Sequence, residues 1–483
     1  MHFSTVQRIL GLLLMLFSIT MLPPLLISLL FRDAALLPFA ASFFAILLAG
    51  LLLWLPVRGD RHELRTRDGF LIVVLFWTVL GLAGAVPLVL SEQPRISFTD
   101  AAFESLSGLT TTGATVLTGI EALPESIRFY RQQLQWFGGM GIIVLAVAIL
   151  PMLGVGGMQL YRAEMPGPVK DSKLTPRIGE TAKALWYIYL SLTVACALAY
   201  WVAGMSWFDA VGHSFSTVAI GGYSTYDASI GHFNSPLIEM ICVVFLVISG
   251  INFAMHFFAW RRRSLSHYLK DTEVRWFIGI LFIVGSVVTA TLITTGHHGG
   301  WGDTLHHAIF QTVSIGTTAG FTTTDFDSWP LYLPLLLIMT AFVGGCAAST
   351  AGGIKVVRFV LLLKQGYREV IRLIHPQAQV LVKLGQRAVD ERVIDAVWGF
   401  FAAYIALFAL MVLLLMGTGL DQVTAFSAVA ATITNLGPGL GVVAENYGDI
   451  SAFAKWVLMF AMLLGRLEVF TLLVLLTPAF WRR

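Results

Sequence analysis

Four short stretches of the chain repeat one pattern of small and polar residues that ends in a glycine. The aligned triplets are Thr111-Thr112-Gly113, Ile220-Gly221-Gly222, Thr318-Ala319-Gly320 and Asn435-Leu436-Gly437. Thirteen residues before each glycine lies a polar residue followed by alanine, these being Asp100, Asp209, His307 and Thr424. A long-period repeat of this kind indicates one structural unit used four times around an axis. Because the triplets contain no Asp, Glu or Lys, only backbone carbonyls and polar uncharged groups can supply their chemistry.

The polar residue that opens each copy predicts the start of a short helix, since Asp and Thr are favoured N-caps. The glycine predicts its end about three turns later, because glycine adopts unusual backbone angles. Helices of about ten residues are too short to cross a ~30 Å hydrocarbon core, so we expect them to be re-entrant. Their partially negative C-terminal ends would then point at a common axis. Rings of carbonyls at membrane depth bind and pass a dehydrated cation.

Composition predicts an all-α polytopic membrane protein. Hydrophobic residues make up 57% of the chain and charged residues 12%, against about 25% charged in soluble domains. Apolar runs predict two N-terminal spans at 9–31 and 34–57, the first kinked at Pro23 and Pro24. Four outer helices are predicted at 69–90, 184–205, 275–296 and 391–418, and four inner helices at 130–153, 234–259, 328–363 and 452–478.

The charge distribution supports these ten spans, with both termini on one side. Of the 31 lysines and arginines, 23 lie in the termini and loops predicted to face the cytoplasm, as the positive-inside rule requires. Five lie on the predicted outer side, namely Arg32, Arg95, Arg128, Arg131 and Lys455. Lys355, Arg358 and Arg466 remain at or near membrane depth. The net charge of +3 follows from this topology and gives no reason to invoke nucleic acid.

Three further segments carry a family resemblance together with the four triplets. With Trp136–Val144, Met158–Gly167 and Gly465–Phe470, the chain resembles the Trk-type bacterial potassium uptake proteins, the TrkH group of the Trk/Ktr/HKT superfamily. The resemblance covers essentially the whole chain. It implies four helix, pore-helix, helix modules with pseudo-fourfold symmetry after two extra N-terminal transmembrane helices. The implied division is 1–68 for those helices, then modules at 69–183, 184–274, 275–390 and 391–483.

The resemblance also implies a function, a location and partners. The four triplets would form a potassium-selective filter, with K⁺ as the only bound ion and no further cofactor. Serine at the first filter glycine is associated with sodium transport in HKT-like relatives, so Gly113 favours potassium. The chain would lie in the bacterial inner membrane among lipids, as a homodimer with one pore per chain. A TrkA-like cytosolic ring that binds nucleotide would regulate it.

A run of small residues interrupts the third inner helix. Gly344, Gly345, Gly352 and Gly353 lie among ten small residues, 344–353. Small residues permit close packing of membrane helices, but four glycines, at up to about 1 kcal/mol each, disfavour helix. We favour an unwound intramembrane loop that acts as a movable gate below the filter.

Arg466 is a charge in the fourth inner helix, and burial in lipid would cost about 2.5–3.5 kcal/mol. Glu468 lies two positions away and thus on another helical face. Two interpretations stay open, a positive barrier facing the pore and a buried pair with an unidentified acid.

The sequence lacks the residues that other functions would need. The alternative of a secondary transporter, coupling the ion to H⁺ or Na⁺, needs titratable groups at the midplane, and the triplets have none. Motifs of zinc proteases and of P-loop enzymes are absent, so we expect no enzyme. We expect structural roles for His213, His306 and His307, because no second ligand stands at metal-binding spacing. The three cysteines are expected to be inert. The internal loops at 154–183 and 364–392 are either solvated connectors or a docking surface for the regulator.

Overall fold

The computed structural model describes residues 2–60, 65–144, 178–296, 300–385 and 387–482. The segment 158–167 and most of the loop 154–183 lie outside these described residues. The described chain is mostly helical, which confirms the predicted fold class. Its strands are Lys383–Leu384 and Arg387–Ala388, which form one antiparallel hairpin with Lys383 opposite Ala388.

The two N-terminal spans pack against each other. The first consists of helices Phe3–Ile19 and Leu22–Phe31, and the second is helix Leu36–Trp54, followed by the 3-10 turn Leu55–Val57. The break in the first span falls at Pro23 and Pro24, as predicted, because proline fits the first turn of a helix but not its interior. Gly11 and Gly50 let the two spans touch, since a Cβ on either would lie 2.8 Å from the carbonyl oxygen of the other.

Each of four modules begins with an outer helix and continues with a short pore helix. Outer helices 1 to 4 are Thr66–Ala83 (continued by Val86–Leu90), Ile178–Val202, Thr272–Thr295 and Glu391–Met416. Pore helices 1 to 4 are Phe98–Leu109, Trp207–Val218, Trp301–Gly316 and Gln422–Ile433. Helices of 12 or 16 residues reach about 18–24 Å. They are too short to span the hydrocarbon core, as predicted.

The pore helices begin earlier than their sequence predicts. Three of them are capped by a residue three positions before the predicted one, with Ser97, Ser206 and Asp421 accepting from the amides of Asp100, Asp209 and Thr424. Pore helix 3 is the exception, because it starts after Gly300 and His307 therefore lies within it. The prediction of the N-caps was therefore wrong. Asp100 and Asp209 lie in the first turn, where a carboxylate favours the positive end of the helix dipole.

The inner helices are broken more often than predicted. Inner helix 1 is Glu125–Val144 within the described residues. The other three each consist of two parts: Pro236–Ser249 and Phe253–Arg262, Leu333–Val343 and Val356–Ile374, and Ala452–Arg466 and Phe470–Leu476. The two parts of inner helix 2 are bent by 92°. Only the break in inner helix 3 was predicted, and continuous helices at 234–259 and 452–478 were wrong.

Length and composition identify six spans among the described residues, which are the two N-terminal spans and the four outer helices. The bent pair of inner helix 2 makes a seventh if it counts as one span. The total of ten stays a prediction. Short elements complete the fold, namely the helices Ser266–Lys270 and Pro478–Trp481 and the 3-10 turns Ile120–Ala122, Ser229–Phe233 and Gly441–Val443. The largest apolar core joins the N-terminal spans to modules 1 and 4.

Candidate functional site

Four loops of the same backbone shape follow the pore helices, and we call them filter loops 1 to 4. In each, the first and third residues of the triplet have positive φ, at Thr111 and Gly113, Ile220 and Gly222, Thr318 and Gly320, and Asn435 and Gly437. The middle residue, Thr112, Gly221, Ala319 or Leu436, donates its amide to a carbonyl five residues earlier, at 2.7 or 2.8 Å. The repeat predicted from the sequence is therefore also a repeat of backbone conformation.

The filter loops contact one another in cyclic order. A Cβ added to Gly113 would lie 2.1 Å from the carbonyl oxygen of Gly221 in loop 2. The same test places Gly222 2.0 Å from Ala319 O, Gly320 2.1 Å from Leu436 O and Gly437 2.7 Å from Thr112 O. Each loop thus lies against the next, and loop 4 returns to loop 1. The twelve residues predicted from the sequence form one closed ring, and a side chain at Gly113, Gly222, Gly320 or Gly437 would collide with a carbonyl of the next loop.

Polar side chains outside this ring form hydrogen bonds that stabilise it. Gln135 of inner helix 1 donates to Gly221 O at 2.6 Å and accepts from the Tyr223 amide at 3.0 Å. Asn435 donates to the Thr112 hydroxyl at 2.9 Å, and the Tyr447 hydroxyl donates to Gly437 O at 2.7 Å. The bonds of Gln135 and Asn435 join different modules, so they fix the position of one loop relative to another.

A buried ion pair lies behind filter loop 1. Glu104 of pore helix 1 and Arg131 of inner helix 1 lie 2.7 Å apart, and each side chain is 1% exposed. Arg131 also donates to Ser224 O at 3.1 Å and lies over the ring of Tyr223. Sequence reasoning assigned Arg131 to the outer side of the membrane and did not select Glu104. The signal was available, because charges within apolar segments are costly unless they are paired.

Lys455 was likewise assigned to the outer side of the membrane, and its side chain is also buried. Its ammonium group lies 2.6 Å from Asp100 and donates to Gly448 O at 2.9 Å. Asp100 stands in the first turn of pore helix 1, and Lys455 stands in inner helix 4. The pair therefore joins module 1 to module 4, the two modules that are most distant in sequence.

Below the ring, the chain between the two parts of inner helix 3 is unwound over residues 344–355, and we call it the intramembrane loop. The Gly352 amide donates to the Thr318 hydroxyl at 2.7 Å and the Gly353 amide to Thr434 O at 3.0 Å. The Thr350 hydroxyl donates to Val218 O at 2.9 Å. The loop therefore lies against the ends of pore helices 2, 3 and 4. The predicted break in the helix at 344–353 is confirmed.

The intramembrane loop also explains the break in inner helix 2. The Cys346 amide donates to Gly250 O at 2.9 Å, and the Phe253 amide donates to Ala348 O at 3.1 Å. These bonds occupy backbone groups that a continuous helix would bond internally. The Asn252 side chain then caps the second part by accepting from the Ala254 amide at 2.8 Å.

Arg466 lies between the ring and the intramembrane loop. Its guanidinium donates to the Thr111 hydroxyl and, at 3.5 Å, to Thr350 O, and the residue is 6% exposed. No carboxylate pairs with it among the described residues, and Glu468 instead pairs with Arg358 at 2.8 Å. Within the described residues, the interpretation of Arg466 as one half of a buried acid pair therefore finds no support. Arg466 lines a pocket beside the intramembrane loop together with Lys355, Arg358 and Glu468.

The remaining predicted structural residues are partly as expected. His213 is fully buried, and both ring nitrogens are bonded, at 2.9 Å to Asp209 O and 2.9 Å to the Ser224 hydroxyl. Cys196, Cys242 and Cys346 are buried free thiols. His306 and His307 are different, because Glu239 of inner helix 2 lies beside them. The prediction of structural roles for these histidines rested on sequence spacing, which could not reveal Glu239 because that residue is remote in sequence.

Comparison with known proteins agrees with this architecture. Residues 37–483 match the model of the family described as "TrkH: Cation transport protein". The chain is 60% identical to the Trk system potassium uptake protein TrkH of Vibrio parahaemolyticus and 59% identical to that of Escherichia coli, over 100% of both chains in each case. It is 40% identical to TrkG of Escherichia coli over 100% of this chain and 99% of that one.

A solved structure is similar over the full length. The crystal structure of the potassium transporter TrkH from Vibrio parahaemolyticus superposes with a TM-score of 0.93, at 57% identity and with 100% of both chains covered. The family is one of transport proteins, which confirms that the chain is not an enzyme. With a family match over most of its length and close relatives over all of it, the chain belongs to the TrkH family of cation transport proteins.

Proposed function

We propose that this chain takes up potassium ions across the bacterial inner membrane through the ring of filter loops. The observation that carries the proposal is the closure of that ring, in which each filter glycine lies against a carbonyl of the next loop. Triplets without acidic or basic side chains leave carbonyls and uncharged polar groups to replace the hydration shell of a cation. The names of the relatives at 59% and 60% identity support potassium as that cation.

A secondary transporter coupled to H⁺ or Na⁺ remains the alternative to passive conduction. The acid nearest to filter loop 1, Glu104, is committed to Arg131 at 2.7 Å and also accepts from the Val116 amide at 3.0 Å. These partners give Glu104 a structural role behind filter loop 1. The membrane potential alone supplies about 2.3 kcal/mol per charge per 100 mV, roughly a 50-fold gradient. Passive conduction can therefore concentrate potassium.

We further propose that the intramembrane loop is a gate. Its contacts with the ends of three pore helices support this proposal. Its two ends are close together, because a Cβ on Gly353 would lie 2.7 Å from the Cα of Gly344. A loop with adjacent ends can move while the two parts of inner helix 3 stay in place. Arg466, which donates to Thr350 O at 3.5 Å, would add a positive barrier to cations at the same level.

A cytosolic nucleotide-binding ring, TrkA-like by the family resemblance, is the proposed regulator of this gate. Inner helix 3 continues from the loop to Ile374, where Leu373 is 84% and Ile374 67% exposed. Exposed apolar side chains beside basic residues suit a docking surface for a protein partner. A homodimer with a separate pore in each chain completes the proposal, and the termini and the basic loops would face the cytoplasm.

The test is flux through the purified chain in liposomes, measured for K⁺, Rb⁺ and Na⁺ under imposed voltage and pH gradients. We expect K⁺ and Rb⁺ flux that follows voltage, smaller Na⁺ flux, and no effect of a pH or sodium gradient at constant voltage. Flux driven by a pH gradient at zero voltage would establish the coupled transporter instead. Absence of cation flux with and without the regulatory ring would contradict both.

A further inference from the structure

Three side chains from two modules meet near the face of the membrane domain where the pore helices begin. Glu239 lies in the first turn of inner helix 2, and His306 and His307 lie in the second turn of pore helix 3. One ligand atom from each residue lies within 4.8 Å of the other two. Sequence spacing could not reveal this cluster, because Glu239 belongs to a different module.

The contact between Glu239 and His306 is close. Glu239 Oε2 and His306 Nε2 lie 3.1 Å apart, with the two side chains 5% and 18% exposed. Both atoms are buried, and neither has a hydrogen-bond partner among the described residues. A buried carboxylate oxygen without a donor is costly. A cation bound between the imidazole nitrogen of His306 and the carboxylate oxygen of Glu239 would satisfy both atoms.

The chemistry of the three ligands selects the cation. Two imidazoles and one carboxylate suit Zn²⁺ and other divalent transition metals, whereas K⁺ and Mg²⁺ prefer oxygen ligands. With metal–ligand bonds of about 2.0–2.2 Å, ligand atoms in a tetrahedral site lie about 3.4 Å apart. The 3.1 Å contact already fits this spacing, and small rotations of the side chains close the widest gap. The partial exposure of His306 leaves a route for entry and a position for water.

A metal at this cluster would join two modules beside the filter. His307 Nδ1 lies 3.1 Å from the hydroxyl of Thr323, three residues after the filter glycine Gly320. Such partners orient the histidines of metal sites. Modules 2 and 3 are already in contact here, since the Gly231 amide donates to Thr322 O at 3.1 Å. We propose that Glu239, His306 and His307 bind a divalent transition-metal ion, Zn²⁺ by their ligand set, which ties inner helix 2 to pore helix 3.

The test is direct binding of ZnCl₂ to the full chain, purified in detergent with potassium present and stripped with a chelator. Calorimetric titration of the wild type should give one Zn²⁺ per chain and a higher midpoint of thermal unfolding. We expect Glu239→Gln and His306→Ala each to lower the affinity at least tenfold. His375→Ala is the matched control, because His375 is exposed at the end of inner helix 3, far from the cluster in the chain. It should bind as the wild type does.

One of the variants and one further measurement make the result decisive. Glu239→Gln preserves the size of the side chain, so it tests the site even if His306→Ala fails to fold. Anomalous scattering at the zinc edge should place a peak about 2.1 Å from His306 Nε2. A wild type that binds no Zn²⁺, or variants that bind it with unchanged affinity, would overturn the proposal. Neither result depends on ion flux, so the proposed transport function is tested separately.

Discussion

Replacement of Gly113 by serine tests the ring most directly. A Cβ at this position would lie 2.1 Å from Gly221 O, and φ is 82°. Real Cβ atoms do not approach an oxygen closer than 3.0 Å, so the Gly221 carbonyl must move by about 0.9 Å. That carbonyl accepts a 2.6 Å hydrogen bond from Gln135, which the movement would weaken. The substitution therefore disturbs two filter loops and the side chain that supports them.

The size of the effect follows from the backbone strain at position 113 and from the weakened hydrogen bond of Gln135. Serine at positive φ costs about 1–2 kcal/mol, and weakening one hydrogen bond costs about 0.5–1.5 kcal/mol. A total of about 2 kcal/mol corresponds to roughly a 30-fold loss of the native filter geometry. We therefore expect the K⁺/Na⁺ flux ratio of Gly113→Ser in liposomes to fall at least about tenfold. Gly437→Ser should be milder, because its added Cβ would lie 2.7 Å from the nearest carbonyl oxygen.

Gly279→Ser in outer helix 3 is the matched control. No atom lies within 4 Å of a Cβ built there, and its φ is not positive. Gly81 would serve less well, because its added Cβ would lie 2.3 Å from Leu106. An unchanged flux ratio in folded Gly113→Ser, or an equal loss of selectivity in Gly279→Ser, would refute the assignment of Gly113 to a selective ring.

Three further predictions concern the parts around the ring. Arg466→Ala should raise K⁺ flux while selectivity stays near that of the wild type, because a positive charge below the ring is removed; a fall in flux that parallels protein yield would instead indicate a structural role. Deletion of residues 346–351 should give flux without the cytosolic partner or nucleotide, since the ends of the intramembrane loop are adjacent. A folded deletion variant whose flux still needs the partner would exclude the gate. Glu104→Gln should destabilise the protein by about 3–5 kcal/mol, because this single change leaves Arg131 buried without its acid. The control is the double variant Glu104→Gln with Arg131→Met, and thermal midpoints compare the two. Equal stability of the single and the double variant would contradict this prediction.

Local features of the site could be predicted from the sequence because they depend on residues that are close in the chain. The conformation of each filter loop rests on a hydrogen bond across five residues and on a glycine with positive φ. The unwound segment of inner helix 3 rests on four glycines within ten residues, which oppose helix formation whatever surrounds them. The break at Pro23 and Pro24 has the same local origin. Each of these features therefore repeats a pattern that the sequence displays.

Helix breaks that are caused by contacts with distant parts of the chain could not be predicted from local sequence. Inner helix 2 is interrupted where Gly250 and Phe253 bond to the intramembrane loop, which comes about a hundred residues later. Inner helix 4 is interrupted after Arg466, at Glu468 and Val469, which both have positive φ. A β-branched valine disfavours that conformation, so its local sequence gives no warning of the break.

By itself, the sequence determined the number of repeats, the glycines that close the ring and the membrane location, because composition and local backbone preference are properties of the chain. Only the tertiary structure decided which charges are partners. Arg131 pairs with Glu104, Arg358 with Glu468, and Glu239 lies beside His306. The physical reason is that a buried charge needs a partner within a few ångströms, and the path of the chain through all four modules decides which group arrives there.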